Sequence, residues 1–182
     1  FHLSNAAAFV QVGIPVMIEK PLSDSIVRYQ QYAELLTQYG KIMEIAYNLR
    51  YLSSAQYMKS LVDSLYIGRV HSISIDVGQY LPDWRPGLDY TKSVSARNAL
   101  GGGVLLELSH DIDYLTWIFG KFDSVFCLIS NSGQLEVDVE DKADMILSKD
   151  DGLVAHLHMD FLQRKVTRSC KVIGEHGSLI WN

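Results

Sequence analysis

Two periods of hydrophobicity divide the chain. In "LSNAAAFVQVG" (residues 3–13) apolar positions fall at helical spacing and stop at a glycine, while "IPVMIEKP" (14–21) is a short β-rich run closed by Pro21. Ser23 is placed to cap a helix over 24–39, where Ile26, Tyr29, Tyr32, Leu35 and Leu36 make one apolar face before Gly40. "KIMEIAYNL" (41–49) reads as a second strand. The order α-β-α-β predicts the tail of a parallel, doubly wound sheet over residues 1–50.

After Arg50 the pattern changes. "SSAQYMKSLVDSLYIG" predicts a helix with a glycine stop, and "VHSISIDVGQYL" alternates as a strand with one wet face. The irregular stretch "PDWRPGLDYTKSVSARNAL" (82–100) follows, long enough that a functional role is expected and rich enough in aromatic residues to be ordered. Residues 101–119 predict one helix, ended by Gly120. Four strand-like runs complete the chain: 122–131, 135–150, 152–163 and 168–181, with Asp150-Asp151-Gly152 as a hairpin turn. Successive strands without helices between them imply an antiparallel sheet. The fold class is therefore α/β followed by α+β with a large, mainly antiparallel open sheet, residues 51–182 forming the second domain.

Composition narrows the partners. The 182 residues are 48% hydrophobic and 20% charged with a formal charge of −5, which disfavours nucleic acid and anionic membrane as partners. No apolar run reaches the roughly 18–20 residues that span a bilayer. Nor does the opening "FHLSNAAAFVQVG" have a basic region before its apolar part, so it does not read as a secretory signal; it lacks a starting Met and reads as the interior of a longer chain. Cys127 and Cys170 are isolated thiols, as expected of a cytoplasmic protein.

Three constellations could carry chemistry. Gly101-Gly102-Gly103 matches neither GxGxxG nor GxxxxGK[ST], so a phosphate cradle is less expected than a loop-to-helix hinge or a close backbone approach to a ligand. On an unbroken helix Glu107, His110, Asp111 and Tyr114 share one face, with Leu105, Leu108, Ile112 and Leu115 on another. That polar face is either solvated or a site for hydrogen-bonding a polyol. Alternation places His156, His158 and Asp160 on one side of a strand, where they are either a polar sheet face or part of a zinc site needing further ligands. Tyr80, Trp84, Arg85, Asp89 and Tyr90 supply aromatic faces and charged groups suited to a sugar. Lys20 ends a strand, the position that faces the ligand crevice of doubly wound sheets.

"VMIEKPLS", "YNLRY", "GQYLPDWRPGLDYTKSVSARNALGGGVLLELSHDIDYLTWIFG" and "IGEHGSLIW", in that order, resemble the Gfo/Idh/MocA oxidoreductases, and in particular a bacterial branch of surface-polysaccharide sugar metabolism. The resemblance implies an NAD- or NADP-dependent enzyme acting on a hydroxyl carbon of a sugar, cyclitol or nucleotide-sugar, and a homo-oligomer formed through the C-terminal sheet. It implies that Lys20 touches substrate and cofactor and assists proton transfer, with Glu19 and Pro21 beside the nicotinamide. Glu107 takes the place of the family's acidic residue. The family's catalytic histidine falls at Asp111, while His110 lies one position earlier; on a continuous helix that offset is about 100°, so His110 does not simply inherit the role. Asp111 is a candidate base with Lys20 as the other proton relay, the choice between Asp111 and His110 staying open. Against the family, residues 1–50 correspond to the end of the Rossmann domain, the glycine-rich cofactor motif is absent, and the second sheet stops early. A chain of these residues alone is expected not to turn over. The alternative is a non-catalytic sugar-binding or oligomerisation module; a metal-dependent hydrolase using His156, His158 and Asp160 is a weaker third.

Overall fold

A computed structural model describes residues 2–182, which divide into two compact units, residues 2–48 and Leu49–Asn182.

In the first unit, α1 (His2–Val10) turns Leu3, Ala6 and Val10 inward, as its spacing requires. Strand β1 (Val16–Ile18) pairs in parallel with β2 (Met43–Ile45), Met17 opposite Glu44. The single helix expected between them is two, α2 (Ile26–Gln31) and α3 (Ala33–Tyr39), separated at Tyr32 (φ −112°, ψ 10°). Its cap is Ser25, whose hydroxyl accepts from the Arg28 amide, rather than Ser23. The expected apolar face is not a buried one: neither helix buries a residue, and Ile26 and Tyr29 are exposed. The Lys20–Pro21 peptide is cis.

The second unit contains α4 (Ser53–Asp63), β3 (Val70–Gly78), α5 (Val104–Glu107), α6 (Ser109–Phe119), β4 (Ser124–Ser130), β5 (Lys142–Ser148), β6 (Val154–Asp160), β7 (Thr167–Gly174) and β8 (Ser178–Trp181). The six strands form one open sheet in the order β4-β5-β6-β3-β7-β8. All neighbours are antiparallel except β3 and β6, whose long connection through the helices makes them parallel. Alternation along β3 sends Ile73, Ile75 and Val77 into the core and Ser74 and Asp76 to solvent. The expected Asp150-Asp151-Gly152 hairpin joins β5 to β6, Gly152 at φ 93°. The run expected as one strand over 168–181 folds back at Glu175–Gly177 into the β7–β8 hairpin.

One sheet face packs with Tyr114, Leu115, Ile118 and Phe119 of α6 into the core. The other is open. Phe126, Ile146, His156, Ser74, Lys171 and Ile180 align across it in one row, and the edge strand β4 is exposed along its length. Residues 82–100 are a chain of short 3₁₀ turns, anchored by Trp84 packing edge-on against Phe161 at 5.3 Å.

Candidate functional site

The glycine triplet is a hinge, and each glycine has its own reason. Gly101 is left-handed (φ 80°). A Cβ on Gly102 would collide with the Val94 carbonyl and lie 2.7 Å from that of Ser95. Gly103 combines φ 113° with contact to the Glu140 carboxylate, which a Cβ would displace. Glu140 occupies the start of α5: its carbonyl accepts from the Val104 amide (3.1 Å) and its carboxylate from the Leu105 amide (3.3 Å). The Glu140 carbonyl and carboxylate thus satisfy the first two donors there, one each. Sequence reading missed Glu140 because it lies 35 residues from its partner.

The helix expected over 101–119 is broken at Leu108 (φ −95°, ψ 21°), between α5 and α6. This corrects the shared polar face. Asp111 and Tyr114 are fully buried, whereas Glu107 and His110 are half-buried. The offset between His110 and Asp111 stands, since both lie within α6, where consecutive side chains diverge by about 100°.

Asp111 meets Arg168 of β7, whose Nη2 donates to Oδ2 at 3.1 Å. Burial pushes the Asp111 carboxyl up to about 6, against the opposing pull of the guanidinium. Burial and the Asp111 charge likewise raise the Tyr114 phenol, and burial lifts the Cys170 thiol to about 12. Asp111 Oδ1, the Tyr114 hydroxyl and Arg168 Nε are buried without a hydrogen-bond partner. Two residues on, Asp113 receives a two-pronged bond from Arg50 of the "YNLRY" motif, Nε to Oδ2 at 2.8 Å and Nη2 to Oδ1 at 2.5 Å. Two arginines therefore hold the head of α6. Arg168 carried no sequence signal; Arg50 lay within a quoted motif without an assigned role.

Trp84, Arg85, Asp89 and Tyr90 come together, with Leu81 and Ser95, around a cavity of about 300 Å³. Tyr80 does not line it; its ring lies beneath the Arg164 guanidinium at 3.5 Å. The cavity adjoins the glycine hinge, because the Ser95 carbonyl accepts from the Gly103 amide at 3.1 Å. Asp89 sits below the usual carboxylate range through bonds from Thr91 and Lys92.

On the open face, His156, His158 and Asp160 do share a side of β6. His158 is clasped by two carboxylates, Nδ1 to Asp144 Oδ1 at 2.6 Å and Nε2 to Asp160 Oδ2 at 2.8 Å. Partial burial opposes its protonation, but the two carboxylate bonds prevail and raise it. Bonds from the Gln163 side chain and the Leu162 and Gln163 amides outweigh burial and keep Asp160 low. An imidazole bonded to a carboxylate at each nitrogen has no lone pair for zinc. Among the described residues no group of three or more His, Cys, Asp or Glu is placed to hold a metal ion. Both cysteines are free, Cys127 exposed and Cys170 buried. No described helix is long and apolar enough to cross a membrane.

In the first unit, Glu19-Lys20-Pro21 leave β1 at its C-terminal end, Glu19 exposed, Lys20 and Pro21 half-buried. That is the end of a parallel strand at which α/β sheets receive ligands.

Residues 55–180 match the GFO/IDH/MocA C-terminal domain, and the chain belongs to that family. It is 25% identical over 181 residues, 98% of its length, to a 1,5-anhydro-D-fructose reductase of Ensifer adhaerens, of which it covers 53%. To an inositol 2-dehydrogenase of Saccharopolyspora erythraea it is 26% identical over 87% of its length and 44% of that protein. Its fold matches a myo-inositol 2-dehydrogenase of Lactobacillus plantarum at a TM-score of 0.84 (23% identity, all of this chain and 54% of that one). A scyllo-inositol dehydrogenase of Lactobacillus casei with bound NAD(H) and scyllo-inositol matches at 0.81, with 22% identity over 100% of this chain and 54% of that one. The chain spans about half the length of the first of these relatives.

Proposed function

We propose that the chain carries the substrate side of an NAD(P)-dependent oxidoreductase acting on a hydroxyl carbon of a sugar, cyclitol or nucleotide-sugar. The observation that carries this is the turn at Leu108, which leaves His110 half-buried at the head of α6 while Asp111 points into the core. His110 is then the group that exchanges the substrate's hydroxyl proton, a task suited to an imidazole near neutral pH. Asp111, with no exposed surface, stands behind it. Glu107 and the Trp84–Tyr90 cavity offer hydrogen bonds and aromatic faces to a polyol. Residues 1–48 are, in this reading, the closing part of a Rossmann domain, with Lys20 and its neighbours on the cofactor side. A bound nicotinamide would supply the hydride acceptor; which of NAD or NADP serves is decided by residues that read the ribose 2′ position.

Calorimetric titration with myo-inositol, scyllo-inositol and 1,5-anhydro-D-fructose, with and without NADH or NADPH, tests the proposal. Saturable polyol binding abolished by His110→Ala is expected. A folded chain that binds polyol equally well with and without His110 overturns the assignment. Self-association through the open sheet is part of the same reading, since Phe126, Ile146 and Ile180 are exposed in one row of that face. Ile146→Lys should then lower the mass seen by analytical ultracentrifugation. A wild type that sediments as a monomer removes the idea.

A further inference from the structure

We propose that Arg168 is a positioning residue for His110: by gripping the buried Asp111 carboxylate, it fixes how the first turn of α6 is rotated over the sheet. This rests on the reading of His110 above and extends it to a residue 57 positions away from Asp111 on another element.

The first turn of α6 has little else to set its rotation. No side chain caps it, and the chain enters through the irregular Leu108, whose amide still belongs to the preceding turn through the Val104 carbonyl (2.9 Å). Ser109 is buried, yet its hydroxyl has no partner. Consecutive helical side chains diverge by about 100°, so the direction of Asp111 dictates that of His110. With Asp111 directed into the core, His110 is left half-buried.

Arg168 meets the geometric demands of the task. It lies on β7 opposite Val77, on the same side of the strand as Cys170 and Val172, which are buried. Its side chain is 37% exposed while its partner Asp111 is wholly buried, so the guanidinium bridges the rim of the sheet and the core. A planar fork constrains direction as well as charge, which a lysine does not. Arg50, its own side chain 41% exposed, holds the same turn through Asp113, whose side chain is 9% exposed. The two grips act on residues two apart, about 200° around the helix, and together oppose rotation in either sense.

The test uses isotope-labelled chain and two readouts that a loss of stability alone does not move together: the imidazole nitrogen shifts of His110 at fixed pH, and amide exchange along α6. In Arg168→Met, the His110 shifts should move and exchange of the 109–113 amides should rise at least roughly tenfold relative to 116–119. Arg168→Lys should recover part of both. If Arg168→Met does not fold, Asp111→Asn, which keeps the shape and the hydrogen bond but removes the charge, is expected to show the same changes more weakly. Unchanged His110 shifts and uniform exchange along α6 in the folded variants would overturn the proposal. The polyol response of wild-type His110 is read separately. Should polyol leave it unmoved while Arg168→Met moves it, the anchor stands and the substrate reading falls.

Discussion

The two faces of the six-stranded sheet each carry a charge pair, and they behave oppositely. On the covered face Asp111 and Arg168 are linked across the core, one carboxylate oxygen left without a partner. On the open face the half-exposed His158 sits between Asp144, also half-exposed, and the buried Asp160, which gains further bonds from Leu162 and Gln163. Inside, the low dielectric makes a pair costly to bury and costlier to break; outside, solvent and salt screen both terms. The same kinds of residue thus fix a helix on one face and merely join neighbouring strands on the other.

Breaking the pairs should expose the difference most strongly. Arg168→Met leaves a buried carboxylate unmatched and should cost about 3 kcal/mol in urea unfolding. His158→Gln, at a site 36% exposed, should cost under about 1 kcal/mol. Comparable losses would erase the contrast.

A second comparison sets the Asp111 grip against the hinge that precedes it. Gly103→Ala must strain a backbone at φ 113° and displace the Glu140 carboxylate, for a loss of about 2 kcal/mol. Gly133→Ala, at φ 74° with nothing near its Cβ, should lose about 1 kcal/mol. Thermal midpoints rank the two, and equal midpoints would show that Glu140 yields freely.

The faces should also separate along the pH axis. The Asp111 carboxyl is raised in the folded chain from 3.8 to about 6. Its contribution is therefore complete below pH 3.8 and lost as pH rises through about 6. Two pH units at roughly 1.4 kcal/mol each set an upper size of about 3 kcal/mol. His158 is also raised, from 6.5, so its contribution is present below that pH and fades above it. Asp111→Asn should flatten the lower window and His158→Gln the upper one in stability measured against pH. Loss of the lower window in His158→Gln would contradict the assignment.

Much of the sheet was legible. Alternation located β3, and the Asp150-Asp151-Gly152 turn fixed a register that places Asp144 opposite His158. That pairing could have been read from the hairpin alone, and with it one of the two carboxylates that occupy the ring nitrogens of His158. The break at Leu108 was not legible, because the apolar period runs through it without a glycine or proline. Nor was the burial of Asp111, since a charge on a helix normally faces water and its partner lies on a distant strand. Glu140 and Arg168 are functions of tertiary distance, which no local pattern carries.

The central claim is that the break at Leu108 presents His110, and not a histidine of the open sheet face, to a polyol. The chain has six histidines, and their imidazole resonances can be followed individually while myo-inositol is titrated in. The account predicts that His110 shifts saturably and that His158, clasped by its two carboxylates, stays where it is. A titration that moves His158, or leaves His110 unmoved while polyol binds elsewhere, would contradict it.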